Sequence, residues 1–188
     1  MKKGLIVFIV IIIVFAMICG SLVGSYNNLV KLQENVNSEY ANIEVQLQRR
    51  ADLIPNLVNT VKGYMDHEEE IIEKITTARA NLLGAKNAKE ASEANEELTE
   101  AINALLVVVE NYPDLKANTN FINLQDELAG TENRIAIVRK DYNNAVKAYN
   151  EKIKTIPHNI IANFAGFKEM PYFEADESKK EVPEVDFS

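Results

Sequence analysis

Residues 26–65 read YNNLVKLQENVNSEYANIEVQLQRRADLIPNLVNTVKGYM. Apolar side chains fall at Leu29, Leu32, Val36, Tyr40, Ile43, Leu47, Ile54, Val58, Val61 and Met65. The steps are threes and fours, apart from one of seven where Arg50 or Ala51 takes the intermediate place. That spacing draws one stripe along a long α-helix that packs against partner helices. A lone helix with such a stripe is not stable in water, so the rest of the chain must cover it. Pro55 lies inside the helix and removes a backbone bond, which predicts a kink or short break near Ala51 to Ile54. Asp52 is placed to cap a restart.

The remaining chain supplies partners. Gly63 and Asp66 end the first rod, and Asp66 with Glu69 has the outline of a capping box. A second helix carries Ile71, Ile72, Ile75, Ala78 and Leu82 and stops near Gly84. Residues 85–97, rich in Ala, Lys and Glu, read as a soluble turn region. A third helix carries Leu98, Ile102, Leu105, Val109 and Tyr112, and Pro113 stops it. The second long rod starts near Asn118 to Asn120 and runs to about Ile156, with Gly130 interrupting its stripe. Pro157 ends it. Residues 158–167 read as one or two further turns. Their Ile160, Ile161, Phe164 and Phe167 are read as capping the open end of the bundle, with the lipid surface as the alternative.

Ahead of the rod, Gly4 to Val23 (GLIVFIVIIIVFAMICGSLV) is 20 residues without a charge. About 20 such residues span a bilayer core. A cleaved signal peptide would usually have an apolar region of only about 7 to 15 residues, so a retained anchor is the reading adopted. Lys2 and Lys3 precede the run, which by the positive-inside rule puts the N-terminus in the cytoplasm and the large domain outside. The expected organisation is a short cytoplasmic N-terminus (1–3), a transmembrane helix (4–24), a helical bundle (25–167) and a flexible acidic tail (168–188).

The fold class is therefore all-α. An antiparallel four-helix bundle is expected, with two long and two shorter helices behind the N-terminal transmembrane helix. Facing residues on the two long rods should have numbers with a constant sum. A sum near 182 pairs Val61 with Phe121, Ile54 with Leu128, Leu47 with Ile135, Tyr40 with Tyr142, Val36 with Val146 and Leu29 with Ile153. It also sets Arg50 opposite Glu132 and Glu44 close to Arg139. Arg50 interrupts the stripe, and a half-buried guanidinium needs a carboxylate. Its pairing with Glu132 would fix bundle register. The functional alternative makes Arg49, Arg50, Arg134 and Arg139, with Asp52 and Glu132 nearby, an interaction cluster that binds an anionic group.

Composition narrows the function. The chain holds 28 acidic and 20 basic residues, and after the first 25 residues the basic count falls to 18, a balance of −10. Such a domain repels nucleic acid and anionic lipid headgroups unless its charge is locally segregated. Cys19 is the single cysteine, inside the apolar run, so neither a disulfide nor a cysteine metal site forms within one chain. His67-Glu68-Glu69-Glu70 lacks the second His that a helical metal motif needs, Ile71 standing in its place. No nucleophile–base grouping and no phosphate-cradling glycine loop is present. No cofactor, no metal and no enzyme activity are expected.

The run Val45 to Val58 (VQLQRRADLIPNLV) resembles the signature of the LemA family of bacterial membrane proteins. So does Glu110 to Asn118 (ENYPDLKAN), followed by Asn120-Phe121, Leu124-Gln125 and Gly130 to Ile135 (GTENRI). Tyr142-Asn143 and Tyr149-Asn150 fit as well. The resemblance covers roughly Tyr26 to Phe173 and implies a single-pass membrane protein with an antiparallel helical bundle. It implies no reaction and no catalytic residues. The function expected is that of a membrane-anchored scaffold or accessory protein that binds another protein; the alternative is a sensor for an anionic small molecule at the arginine-rich site.

Overall fold

The computed structural model describes residues 2–65 and 68–174, with side chains from Gly4. The chain is all-helical, and no strand occurs among the described residues. Six helices follow in order: α1 (Lys2–Lys62), α2 (Glu69–Gly84), α3 (Ala88–Val109), α4 (Pro113–Lys116), α5 (Thr119–Lys154) and α6 (His158–Ala165). They divide between two compact units. The first comprises the chain through Ser38 together with Asn144–Met170. The second comprises Glu39–Asn143 and the chain from Pro171.

In the first unit, Leu5 to Val23 of α1 are exposed apart from the half-buried Cys19, with Phe8 and Phe15 more than half accessible. This segment is long and apolar enough to cross a membrane, and none of it is packed inside the protein. Burial begins at Ser25 and Leu29, where α1 meets its partners. Val36, Val146, Tyr149 and Ile153 complete the core of this unit. The apolar segment and the rod that follows it are one uninterrupted helix, α1.

In the second unit the break expected at Ala51 to Ile54 is absent: α1 continues through Pro55. Asp52 caps no restart and instead accepts a hydrogen bond from Gln48 at 2.9 Å. The Tyr40 and Tyr142 rings lie 5.7 Å apart, and Arg50 meets Glu132 at 2.6 Å. Both pairs sum to 182, so within this unit the α1 and α5 stretches run antiparallel in the expected register. Leu47, Ile54, Val61, Phe121, Leu128 and Ile135 are all buried, as that register requires. Glu44 and Arg139 form no ion pair with each other.

Two further expectations are corrected. Residues 88–97, read as part of a turn region, are the first half of α3. Asn87 caps it: Oδ1 accepts from the Glu90 backbone N–H at 3.0 Å, while the Glu90 carboxylate accepts from the Lys86 N–H at 2.9 Å. Together these bonds satisfy two backbone donors at the helix start. Ala88, Ala91, Ala94, Asn95 and Leu98 are buried at steps of three, three, one and three. Small side chains there let α3 lie close to its neighbours, which an alanine-and-glutamate composition hides. Asp66, the expected cap of α2, lies outside the described residues.

The stretch from Lys168 is not a tail over its first seven residues. In the first unit, Asn150 Nδ2 donates to the Met170 carbonyl and Asn150 Oδ1 accepts from the Met170 N–H, each at 2.9 Å. The Tyr149 hydroxyl donates to the Lys168 carbonyl at 2.9 Å. In the second unit, Asn143 forms the same double bond with the backbone of Phe173 at 3.0 and 2.9 Å. There the Tyr142 hydroxyl donates to the Pro171 carbonyl at 2.9 Å, and the Ser92 hydroxyl bonds to the Glu174 carbonyl. Phe173 is 1% exposed. Side-chain amides thus replace a strand partner for an extended segment, and a buried ring holds it down. Residues 175–188 of the expected tail lie outside the described residues.

Candidate functional site

Arg50 is the one charged residue among those fully buried in the described protein. It sits on the apolar stripe of α1 because the helical step brings it inward between Leu47 and Ile54. Its Nη1 meets Glu132 of α5 at 2.6 Å and Asn95 Oδ1 of α3 at 2.5 Å. Its Nη2 donates to Thr99 Oγ1 at 2.9 Å. Thr99 in turn donates to the Asn95 carbonyl at 2.9 Å, so its hydroxyl proton points away and a lone pair faces the guanidinium. Burial pushes the Arg50 pKa below its ordinary value and the Glu132 carboxylate pulls it back up. The charge is held by geometry: one carboxylate, one amide oxygen and one hydroxyl converge on a planar fork.

Beside this knot is a cavity of about 180 Å³ lined by Arg50, Leu57, Thr99, Ile102, Asn103, Leu106, Gln125, Leu128, Ala129 and Glu132. Five of those side chains are purely apolar. Asn103 and Gln125 offer amide groups at its edge. The volume is below that of typical small-ligand sites, about 300 to 1,000 Å³. It matches the size of one or two apolar side chains. Nothing in the lining is a nucleophile paired with a base.

The other residues of the expected cluster do not join it. Arg49 points outward to Glu127 at 3.0 Å, with both side chains 52% exposed. Asp52 faces Gln48 on the surface of its own helix. Arg134 donates to Thr131 Oγ1 at 3.2 Å and lies over Gly130. Arg139 is only half-buried and is paired with none of them. The structure therefore joins Arg50 to Glu132, while Arg49 and Arg134 take other partners.

Asn95 escaped the sequence reading because it lies on the stretch taken for a turn, and Thr99, just beyond that stretch, was not read as part of the apolar stripe of the third helix. A helical wheel through residues 88–99 would have set Asn95 and Thr99 one turn apart on the buried face. Arg79 was missed as well: its Nε donates to the Ala51 carbonyl at 2.8 Å. Among the described residues, no three His, Cys, Asp or Glu side chains cluster as metal ligands would. His67 lies outside the described residues.

Comparison with known proteins places these features in a family. Residues 39–187 match the LemA family, a span that includes Arg50, Asn95, Thr99 and Glu132. The chain is 28% identical over 180 residues to magnetosome protein MamQ 2 of Paramagnetospirillum magneticum, covering 82% of this chain and 66% of the relative. It is 25% identical over 179 residues to magnetosome protein MamQ of Magnetospirillum gryphiswaldense, covering 81% and 66%. It is 26% identical over 159 residues to protein LemA of Metamycoplasma hominis, covering 84% and 73%. The chain thus spans just under two thirds of the length of the magnetosome relatives. With the family matched across most of its length and a bare apolar helix ahead of the match, this is a membrane-associated protein that belongs to the LemA family.

Proposed function

We propose that this protein is a membrane-tethered, non-enzymatic binding module, an accessory or scaffold subunit that receives a partner protein at the cavity between α1, α3 and α5. The observation that carries the reading is the neutralised Arg50 beside an apolar hollow. An enzyme or an anion sensor would keep its inward charge free for the ligand. Here Glu132, Asn95 and Thr99 already occupy both Nη groups of Arg50. What remains on offer is apolar surface with two amides at the rim, which suits an apolar side chain of a partner protein. Relatives named as magnetosome proteins are in keeping with service inside a larger assembly. Lys2 and Lys3 ahead of the apolar run support a cytoplasmic N-terminus and a binding unit on the outer side.

A photoreactive residue in place of Asn103, in the full chain in its native membranes, tests this. One discrete protein adduct is expected, and Leu106→Glu should abolish it. Adducts with lipid alone, or an adduct indifferent to Leu106→Glu, would overturn the reading. Cysteine labelling at Lys86→Cys from either side of the membrane fixes the orientation.

A further inference from the structure

The first unit carries a second apolar surface. Helix α6 buries Ile161 and Ala162 and leaves Ile160 and Phe164, one turn apart, 63% and 95% exposed. Ile156, in the turn before α6, adds a third side chain at the same spacing, 81% exposed. A phenylalanine at 95% exposure has almost no protein contact at all. The four residues read from the sequence as one capping group therefore separate. Ile161 and Phe167 pack inward, while Ile160 and Phe164 do not.

The position of α6 says what covers it. Gly166 closes the helix in the left-handed region at φ 80°, turning the chain so that Phe167 meets Tyr26 edge-on at 5.7 Å between ring centres. Tyr26 is three residues beyond Val23, the last of the exposed apolar run, a rise of about 4.5 Å along α1. The end of α6 is thus fastened to α1 within one turn of the membrane-crossing segment. Tyr26 is 46% exposed, an aromatic with a polar tip at the depth where such residues collect in membrane interfaces. Lys168, exposed, follows α6 in sequence and can reach toward headgroups, while Lys154 ahead of α6 is paired with Glu169 at 2.7 Å.

We infer that α6 is an interfacial helix, seated on the same bilayer that holds the anchor, with Ile156, Ile160 and Phe164 inserted among the lipid acyl chains. The apolar surface of the anchor and that of α6 then form one continuous lipid contact. Amphipathic helices of this kind sit about 5–10 Å into the headgroup boundary. Two attachments, one spanning and one lying flat, would fix the tilt of the rod above the membrane, which a single spanning helix cannot do.

The test uses the full chain with Cys19→Ser, reconstituted in phosphatidylcholine vesicles. An environment-sensitive fluorophore is placed at Phe164→Cys, at Ile160→Cys or, for comparison, at Lys86→Cys. Because Phe164 and Ile160 contact little protein, these substitutions leave the fold intact, which circular dichroism verifies. Lipids carrying a quencher near the headgroup should quench positions 164 and 160 several times more strongly than position 86. Equal quenching at the three positions would overturn the inference. So would blue-shifted emission at 164 without lipid quenching, because a protein surface would then be the cover.

Discussion

Arg79 Nε donates to the carbonyl oxygen of Ala51 at 2.8 Å, and that carbonyl is the one Pro55 leaves without a partner. An α-helix bonds each N–H to the carbonyl four residues back, and proline at 55 has no N–H to give to residue 51. Ala51 is fully buried, so water cannot fill the gap. A guanidinium from α2 fills it. The proline thus interrupts one backbone bond without ending the helix, and the interruption becomes a point of attachment between α1 and α2.

Arg79→Met should therefore destabilise the protein by about 1–3 kcal/mol, the cost of a buried carbonyl left unsatisfied. In a Pro55→Ala background the alanine N–H can reach Ala51, and the cost of Arg79→Met should shrink to a fraction of that. Thermal unfolding followed by circular dichroism on the four variants gives the coupling. Additive effects would show that Arg79 has no connection with the proline.

Glu132→Gln and Arg50→Leu should differ in a way set by burial. The glutamine variant strands a guanidinium whose side chain is 4% exposed, and a loss of about 2–4 kcal/mol is expected. The leucine variant removes the charge and leaves the Glu132 carboxylate, Asn95 and Thr99 short of a donor; the Glu132 side chain is 42% exposed and can turn to water, so about 1–2 kcal/mol is expected. Denaturant titration measures both. A larger loss for Arg50→Leu would mean that the arginine contributes through packing rather than through its charge.

Alkaline pH should weaken the second unit through Tyr142. Burial, with a smaller contribution from Tyr40, pushes the Tyr142 pKa up to about 12. Burial also raises Tyr40 and, in the first unit, Tyr149. A phenol of raised pKa keeps its proton in the folded chain while the unfolded chain releases it near pH 10, so folding binds protons there. Stability is intact below about pH 10 and falls as pH rises toward about 12. Phenolate absorbance should show Tyr142 ionising late, and Tyr142→Phe should remove that late step and flatten the stability profile above pH 10.

Asn150→Ala should loosen the strap at Met170. Both amide bonds disappear, at a cost of about 1–3 kcal/mol to that attachment. Trypsin should then cut at Lys168 faster than in the parent chain. Asn150→Asp keeps the acceptor and loses the donor, so its cleavage rate should fall between the two. Unchanged cleavage in Asn150→Ala would show that the tyrosine bond to Lys168 holds the strap unaided.

Periodicity was enough to read most of the helices and, within the second unit, the pairing of α1 with α5, but not the alanine-rich first half of α3. A stripe of threes and fours on each rod, with one polar interruption apiece, selects a single sensible register, because only that register gives Arg50 its carboxylate. The signature around Pro55 and the Tyr-Asn repeat at 142 and 149 were visible too, as a family resemblance without a physical meaning. Their meaning needed coordinates. Seven residues of helix and three of extended chain both advance about 10 Å, so a Tyr-Asn pair repeated at seven suits backbone groups spaced at three. Nothing in the local sequence of residues 168–174 announces that match.

The sequence by itself determined that the chain is helical, opens on a segment apolar and long enough to cross a membrane, and carries two long apolar seams, because these properties depend on the order of apolar and charged residues along the chain. Only the tertiary structure decided which groups complete Arg50, what satisfies Ala51 and which face of α6 stays bare. Those outcomes turn on side chains from distant segments meeting at hydrogen-bond distance, and no pattern along a single helix encodes the position of its neighbours.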